Sequence, residues 1–173
     1  MSAPTPWFAF SLALAPELLP ERLPGPPLPA LPEGEVAEAL DVDLVYDVPA
    51  QPWEGRVARL VAAPGKRVVG RVREVPPAVW PQVARLERAL ALASQERPVQ
   101  VRTASGVVVT ARAFTTPTPR VRGQGLVSVP FLVALARAAE HAKLPAPYIE
   151  KLQAEAHLVQ RVQDAHAHRL TRS

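Results

Sequence analysis

The chain of 173 residues has no cysteine. Disulfides, thiolate nucleophiles and cysteine-based zinc sites are therefore excluded. Aromatic residues are scarce, at 5%, and only three lysines occur, Lys66, Lys143 and Lys151. Arginine supplies nearly all of the positive charge, and the formal net charge is +4. A nucleic-acid surface would gather its arginines around stacking aromatic side chains. Here they are spread along the chain: Arg56, Arg59, Arg67, Arg71, Arg73, Arg85, Arg88, Arg97, Arg112, Arg120 and Arg122. That pattern favours a solvated basic surface and argues against a nucleic-acid partner. No stretch approaches the ~20 apolar residues of a membrane helix, so no membrane partner is expected. Nothing before Trp7 is charged, and the apolar run from Trp7 to Ala15 is at the short end for a secretion signal. A buried first strand and a cytoplasmic location are the expectation.

Four histidines occur, His141, His157, His166 and His168, and three of them crowd the polar C-terminal tail. No acidic ligands accompany them at helical spacing, which reads as a surface tail and not a metal site. Proline is abundant, with 21 residues, most of them in Pro16 to Pro32, Pro76 to Pro81 and Pro117 to Pro130. Such clusters place rigid loops between compact elements. The length suits one domain, taken as 1–173, with a C-terminal helical extension over 153–173.

Trp7-Phe8-Ala9-Phe10-Ser11-Leu12 reads as a buried strand, and Leu40 to Val48 alternates as a half-buried one. Arg56 to Val61 and Arg67 to Val75 alternate again. Ala63-Pro64-Gly65-Lys66 between them predicts a hairpin turn. Pro76-Pro77 opens a helix whose Val79, Val83, Leu86 and Leu90 share one face. Glu87 lies beside Val83 and Leu90, close to that apolar face. A carboxylate there is paired, exposed at a cleft, or functional. Val99 to Thr103 and Val107 to Phe114 predict a second hairpin around Ser105-Gly106. A loop over Thr115 to Gly125 follows. Two helices, Pro130 to Lys143 and Pro147 to His168, close the chain.

The order of these segments resembles the gamma-glutamylcyclotransferase family. The family's Tyr-Phe-Ala-Tyr-Gly-Ser-Asn-Leu opening is similar to Trp7-Phe8-Ala9-Phe10-Ser11-Leu12-Ala13-Leu14. Its Trp-x-Gly-Gly hairpin with a Pro-Gly turn and Val-x-Gly is similar to Trp53-Glu54-Gly55-Arg56, Pro64-Gly65 and Val68-Val69-Gly70, without a gap. Its Leu-Asp-x-x-Glu-Gly segment corresponds to Val83-Ala84-Arg85-Leu86-Glu87-Arg88. Its Leu-Pro-x-x-Tyr-x-x-x-Leu matches Leu144-Pro145-Ala146-Pro147-Tyr148-Ile149-Glu150-Lys151-Leu152. The resemblance covers Trp7 to Leu152. It implies an α+β fold, a mixed sheet partly closed into a small barrel and flanked by helices. It also implies cleavage of a small gamma-glutamyl compound, with release of 5-oxoproline and no metal or cofactor.

In that chemistry the substrate's alpha-amine attacks its own gamma-carbonyl. The amine must lose a proton and the leaving group must gain one, so a single carboxylate can serve as base and then acid. By the resemblance Glu87 is that acid/base, and Phe10, Ser11, Leu12 and Ala13 are the substrate loop, whose backbone N–H groups meet the substrate. The departures lie at the site. Ser11 and Leu12 replace the loop's Gly and Ser, Ala13 replaces its Asn, and Phe10 lacks the tyrosine hydroxyl. Arg88 replaces the glycine after the glutamate, and Arg56 the second hairpin glycine. Either arginine could pair with Glu87 and lower its pKa. Glu87 as a salt-bridged or surface carboxylate thus stays open beside the catalytic role. So does a catalytically silent module with a protein partner, docked through the Leu152, Ala156, Val159 and Val162 stripe. Ser11 has no histidine base near it in sequence and reads as a plain loop residue. Tyr148, Trp53 and Trp80 read as packing anchors.

Overall fold

The first strand is shorter than its apolar run suggests. In the computed structural model, which describes residues 2–120 and 125–172, β1 spans Thr5–Ala9 and ends there. Ser11 bends the chain and Leu12–Leu14 forms a turn of 3-10 helix. The expected strand to Leu12 is thus cut short. Leu12, Ala13, Leu14 and Ala15 are all buried, whereas a strand would turn alternate residues to opposite faces.

Two long strands dominate the sheet, β2 at Glu35–Ala50 and β3 at Gly55–Val75. They pair antiparallel along nearly their whole length, joined by the 3-10 turn Gln51–Trp53. The expected hairpin at Pro64-Gly65 is absent, and that segment lies within β3. Leu40 pairs with Arg67 and Val42 with Ala62, so residues 63–66 bulge opposite Asp41 alone. Asp41 adopts φ 57° and Gly65 φ 79°. The Gly65 N–H donates to the Asp41 carboxylate at 2.9 Å. Proline and glycine here mark a bulge, which twists and bends a strand without ending it.

The second hairpin is where the sequence places it, with β4 at Gln95–Thr103 and β5 at Val108–Thr115. The strands close into a barrel in the order β1-β3-β2-β4-β5. All the pairings are antiparallel except β1 with β5, which meet in parallel at Trp7 and Arg112. One core cluster draws residues from all five strands and from no helix, so it fills the barrel. Phe8 and Phe10 stack there at 5.9 Å, against Ala37, Ala39, Ala111 and Ala113. So small a barrel accommodates large rings only where small side chains face them.

Three helices cover the outside: α1 at Trp80–Ala91, α2 at Val129–His141 and α3 at Ala146–Leu170. Pro76 to Val79 is a turn before α1, which starts later than its prolines suggest. Leu92 closes α1 in the left-handed conformation at φ 56°. Ser128 caps α2 by accepting from the Phe131 N–H at 3.1 Å, and its own hydroxyl donates to the Trp53 carbonyl. Trp53 packs edge-on against Phe131 and donates its indole N–H to the Leu90 carbonyl at 3.1 Å. Trp80 donates to Glu96 at 2.8 Å. Leu152 and Ala156 of α3 are buried, while Leu158, Val162 and Leu170 are exposed. The residues 153–170 therefore continue α3 and largely face solvent. No helix among the described residues is long and apolar enough to cross a membrane. Arg122 and the middle of the expected loop over 115–125 lie outside the described residues.

Gly70 marks the closest approach of β3 to β1. A Cβ there would lie well inside contact distance of the Ala9 carbonyl and the Phe8 ring. Backbone on both sides leaves nothing to yield. Gly70→Ala is expected to destabilise the protein by about 3 kcal/mol or more, as overpacking in a core does. Gly65→Ala meets open space and is strained only by its positive φ. It is expected to cost about 1–2 kcal/mol. Urea unfolding of both variants checks the order.

Candidate active site

Helix α1 turns Val83, Leu86, Glu87, Leu90 and Ala91 inward. Four of these are apolar, and Glu87 is only 2% exposed. Position 87 follows 83 by four residues and precedes 90 by three, so the helical period turns it to the same inward face. Its carboxylate accepts one hydrogen bond, from the Trp7 indole N–H at 3.1 Å. Trp7 sits on β1 and is fully buried. A buried indole N–H requires an acceptor, and Glu87 supplies it.

Burial pushes the Glu87 pKa up to about 8, and the Trp7 hydrogen bond opposes that rise. Removing a carboxylate from water penalises its charged form. The expected arginine partners are elsewhere. Arg88 is exposed on the far side of α1. Arg56 is held by its backbone, which bonds to Leu126 and Ser128 at 2.9 Å each, and its buried Nε has no hydrogen-bond partner. No ion pair to Glu87 exists among the described residues. The reading of Glu87 as a surface or salt-bridged carboxylate is thereby set aside.

The 3-10 turn Leu12–Leu14 packs directly on α1. Leu12 and Ala13 belong to the core cluster that also holds Trp7, Val83, Leu86 and Leu90. The Leu14 and Ala15 N–H groups donate within the turn, to Ser11 and Leu12 at 3.0 and 3.2 Å. Those of Leu12 and Ala13 open it, where a helical turn offers no internal acceptor, and no side chain caps them. Ser11 Oγ is buried and makes no hydrogen bond. A buried polar atom left unpartnered is rare in folded proteins. Phe10 points elsewhere, into the barrel against Phe8. The structure thus brings Leu12 and Ala13 to the cluster around Glu87, with Ser11 next to them in the chain, and takes Phe10 away.

Trp7 was not among the residues expected at the site. The signal for it was available, since an indole in a buried strand needs a buried acceptor. Tyr148 lies on another face. It packs with Tyr46, whose hydroxyl donates to Glu155 at 3.2 Å, and burial raises the pKa of both phenols. Among the described residues no group of three or more histidines and acids could hold a metal.

The Glu87 carboxyl is therefore buried, unpaired with any cation among the described residues, and fixed by one donor on the outside of a small mixed barrel. The fold is that of the gamma-glutamyl cyclotransferases. A gamma-glutamyl cyclotransferase structure aligns with a TM-score of 0.65 at 22% identity, covering 87% of this chain and 86% of that one. An uncharacterized protein from Homo sapiens aligns at 0.67 and 23% identity, covering 88% of each chain. A yeast gamma-glutamyl cyclotransferase specific to glutathione aligns at 0.60 and 13% identity, covering 92% of this chain and 97% of that one. Residues 67–152 match the sequence model of the AIG2-like family. The chain thus has the gamma-glutamyl-cyclotransferase-like fold, and the AIG2-like pattern runs from within β3 into α3. Curated protein sequences offer no match.

The raised pKa has a consequence for stability. The ordinary Glu value is 4.5 and the folded value is about 8. Between these pH values the unfolded chain has released the proton and the folded chain still holds it. The unfolded state binds fewer protons, so stability falls as pH rises. This contribution is complete below pH 4.5, declines at up to about 1.4 kcal/mol per pH unit, and is gone above pH 8. Glu87→Gln keeps the shape and cannot ionise. The stability difference between the wild type and Glu87→Gln, measured by urea titration from pH 5 to pH 9, is expected to change by a few kcal/mol in favour of the variant.

Proposed function

We propose that this protein is a cyclotransferase acting on a small gamma-glutamyl compound, with Glu87 as its acid/base. The observation that carries the reading is the buried Glu87 carboxyl, held by Trp7 and unpaired with any described cation. A base must lose its proton near working pH to be of use, and a pKa of about 8 meets that need. Bound substrate brings an ammonium group close, which would draw the value down further.

Glu87 takes a proton from the alpha-amine, and the amine nitrogen bonds to the gamma-carbonyl carbon. The tetrahedral intermediate collapses as the carbon–nitrogen bond to the leaving group breaks. Glu87 returns its proton to the departing amine, and 5-oxoproline remains. Both reacting ends belong to one molecule, so the enzyme's task is to fold the substrate back on itself. The N–H groups of Leu12 and Ala13 and the hydroxyl of Ser11 are the donors offered to substrate carboxylate and oxyanion. Trp7 is a positioning residue that fixes the carboxylate's orientation.

One observation favours a second reading. Glu87 is 2% exposed, and Leu12 and Leu14 are buried in the core cluster that surrounds it. A silent module that keeps the fold and binds a protein would show the same closure. Release of 5-oxoproline from a panel of gamma-glutamyl amino acids and amines decides between the two. The enzyme reading expects turnover that falls at least about a hundredfold in Glu87→Gln. It also expects kcat/KM to rise with pH through about 8, since the ionised form is the base. Trp7→Phe removes the hydrogen bond that lowers the pKa, so the break is expected to move to higher pH. Folded protein with no turnover on the whole panel would establish the silent module.

A further inference from the structure

A cavity of about 370 Å³ lies between the proline-rich loop, β3 and α1. That volume falls at the lower end of small-molecule sites, which run from about 300 to 1,000 Å³. Leu23, Leu28 and Leu31 of the loop face Leu86 of α1 across it, with several prolines completing the apolar wall. The polar residues lining it are Arg73, Arg85, Gln82 and Glu17, the last of which is engaged by His141. Glu87 does not line it, although it follows Leu86 in the chain.

The loop is anchored at both ends. Ala15 is buried at its start, and Leu19, Leu23, Leu28 and Leu31 pack on the core. At its end Gly34 has φ 72°, and a Cβ there would collide with the Val72 carbonyl. Arg71 completes the anchorage. Its guanidinium donates to the carbonyls of Ala142 at 2.7 Å, Gly34 at 3.3 Å and Glu33 at 3.4 Å.

Arg73 is two residues along the same strand, so the two side chains leave one face. Their circumstances differ. Arg73 Nε is buried without a hydrogen-bond partner, and the side chain forms no ion pair among the described residues. Burial and the neighbouring Arg71 both push its pKa down. Glu17 and Glu33 act the other way, from outside ion-pair distance. Glu17 is bonded to His141 at 2.7 Å, and Glu33 is mostly exposed and lies 3.9 Å from Arg71. Arg85 also has no partner among the described residues. The cavity therefore combines an apolar wall with two guanidinium groups that have no bonded counter-charge. A buried donor on a cation is costly to leave unsatisfied, and a carboxylate matches a guanidinium edge to edge.

We propose that this cavity binds a small carboxylate with a branched aliphatic body, its charge received by Arg73 and Arg85 and its body by the leucine wall. The rigid loop holds the wall in place before the ligand arrives, which reduces the ordering cost of binding. The site is separate from the Glu87 chemistry and does not rest on it.

The test uses N-acetyl-leucine and its uncharged counterpart N-acetyl-leucinamide, with binding to the full chain measured by calorimetry. The acid is expected to bind saturably and at least tenfold more tightly than the amide. Arg73→Met retains the apolar stem and removes the charge, and should abolish that preference. Arg85→Met, at an exposed position that leaves folding undisturbed, should reduce it. Equal binding of acid and amide to the wild type would overturn the proposal. So would the absence of saturable binding by either, or an unchanged preference in both variants. No outcome depends on release of 5-oxoproline.

Discussion

One buried hydrogen bond joins the barrel to its helical cover inside an apolar cluster. The Trp7 indole N–H donates from β1 to the Glu87 carboxylate on α1. Both groups lie in an apolar cluster, where a polar group without a partner is costly. The indole would be orphaned without the carboxylate, and the carboxylate would be more strongly neutralised without the indole. Each therefore constrains the position of the other. β1 must close the barrel and present Trp7 outward, and α1 must turn Glu87 inward at the same height. The bulge at Asp41, the approach at Gly70 and the cap at Ser128 are features of the frame that holds this alignment.

Two arginines on one strand show how position decides role. Arg71 is used by the fold, because three backbone carbonyls converge on it. Arg73 has no such neighbours and is left facing a cavity. Composition alone treats the two alike. What separates them is the path of the proline-rich loop, whose end turns at Gly34 and delivers its carbonyls to one guanidinium only.

Much of the fold was legible in the sequence because period and punctuation carry it. The alternation in 99–103 and 107–114 and the helical spacing of Val83, Leu86 and Leu90 placed β4, β5 and α1. Pro64-Gly65 misled, since the same two residues make a turn or a bulge, and only the partner strand decides which. The run after Ala9 also misled. Continuous burial suits a central strand or a turn packed between helices equally well. At the site, the period put Glu87 near the core. The absence of an arginine partner was not legible, because Arg88 adjoins Glu87 only in sequence, Arg56 lies on another element, and the directions of both depend on tertiary packing. The indole–carboxylate contact spans eighty residues, beyond any local pattern.

The loop from Pro16 to Pro32 contains seven prolines and no strand or α-helix. Each proline narrows the conformations open to the unfolded chain, and so reduces the entropy lost when the loop is fixed. A wall of this kind can be ordered without a hydrogen-bonded ladder behind it. Its leucines can be exchanged for other side chains while the backbone path is kept by φ restriction and by the two anchored ends. The barrel and the lining of the cavity are thus governed by different sequence constraints, one by packing and the other by chain stiffness. A single scaffold can therefore change what its cavity admits without altering its core.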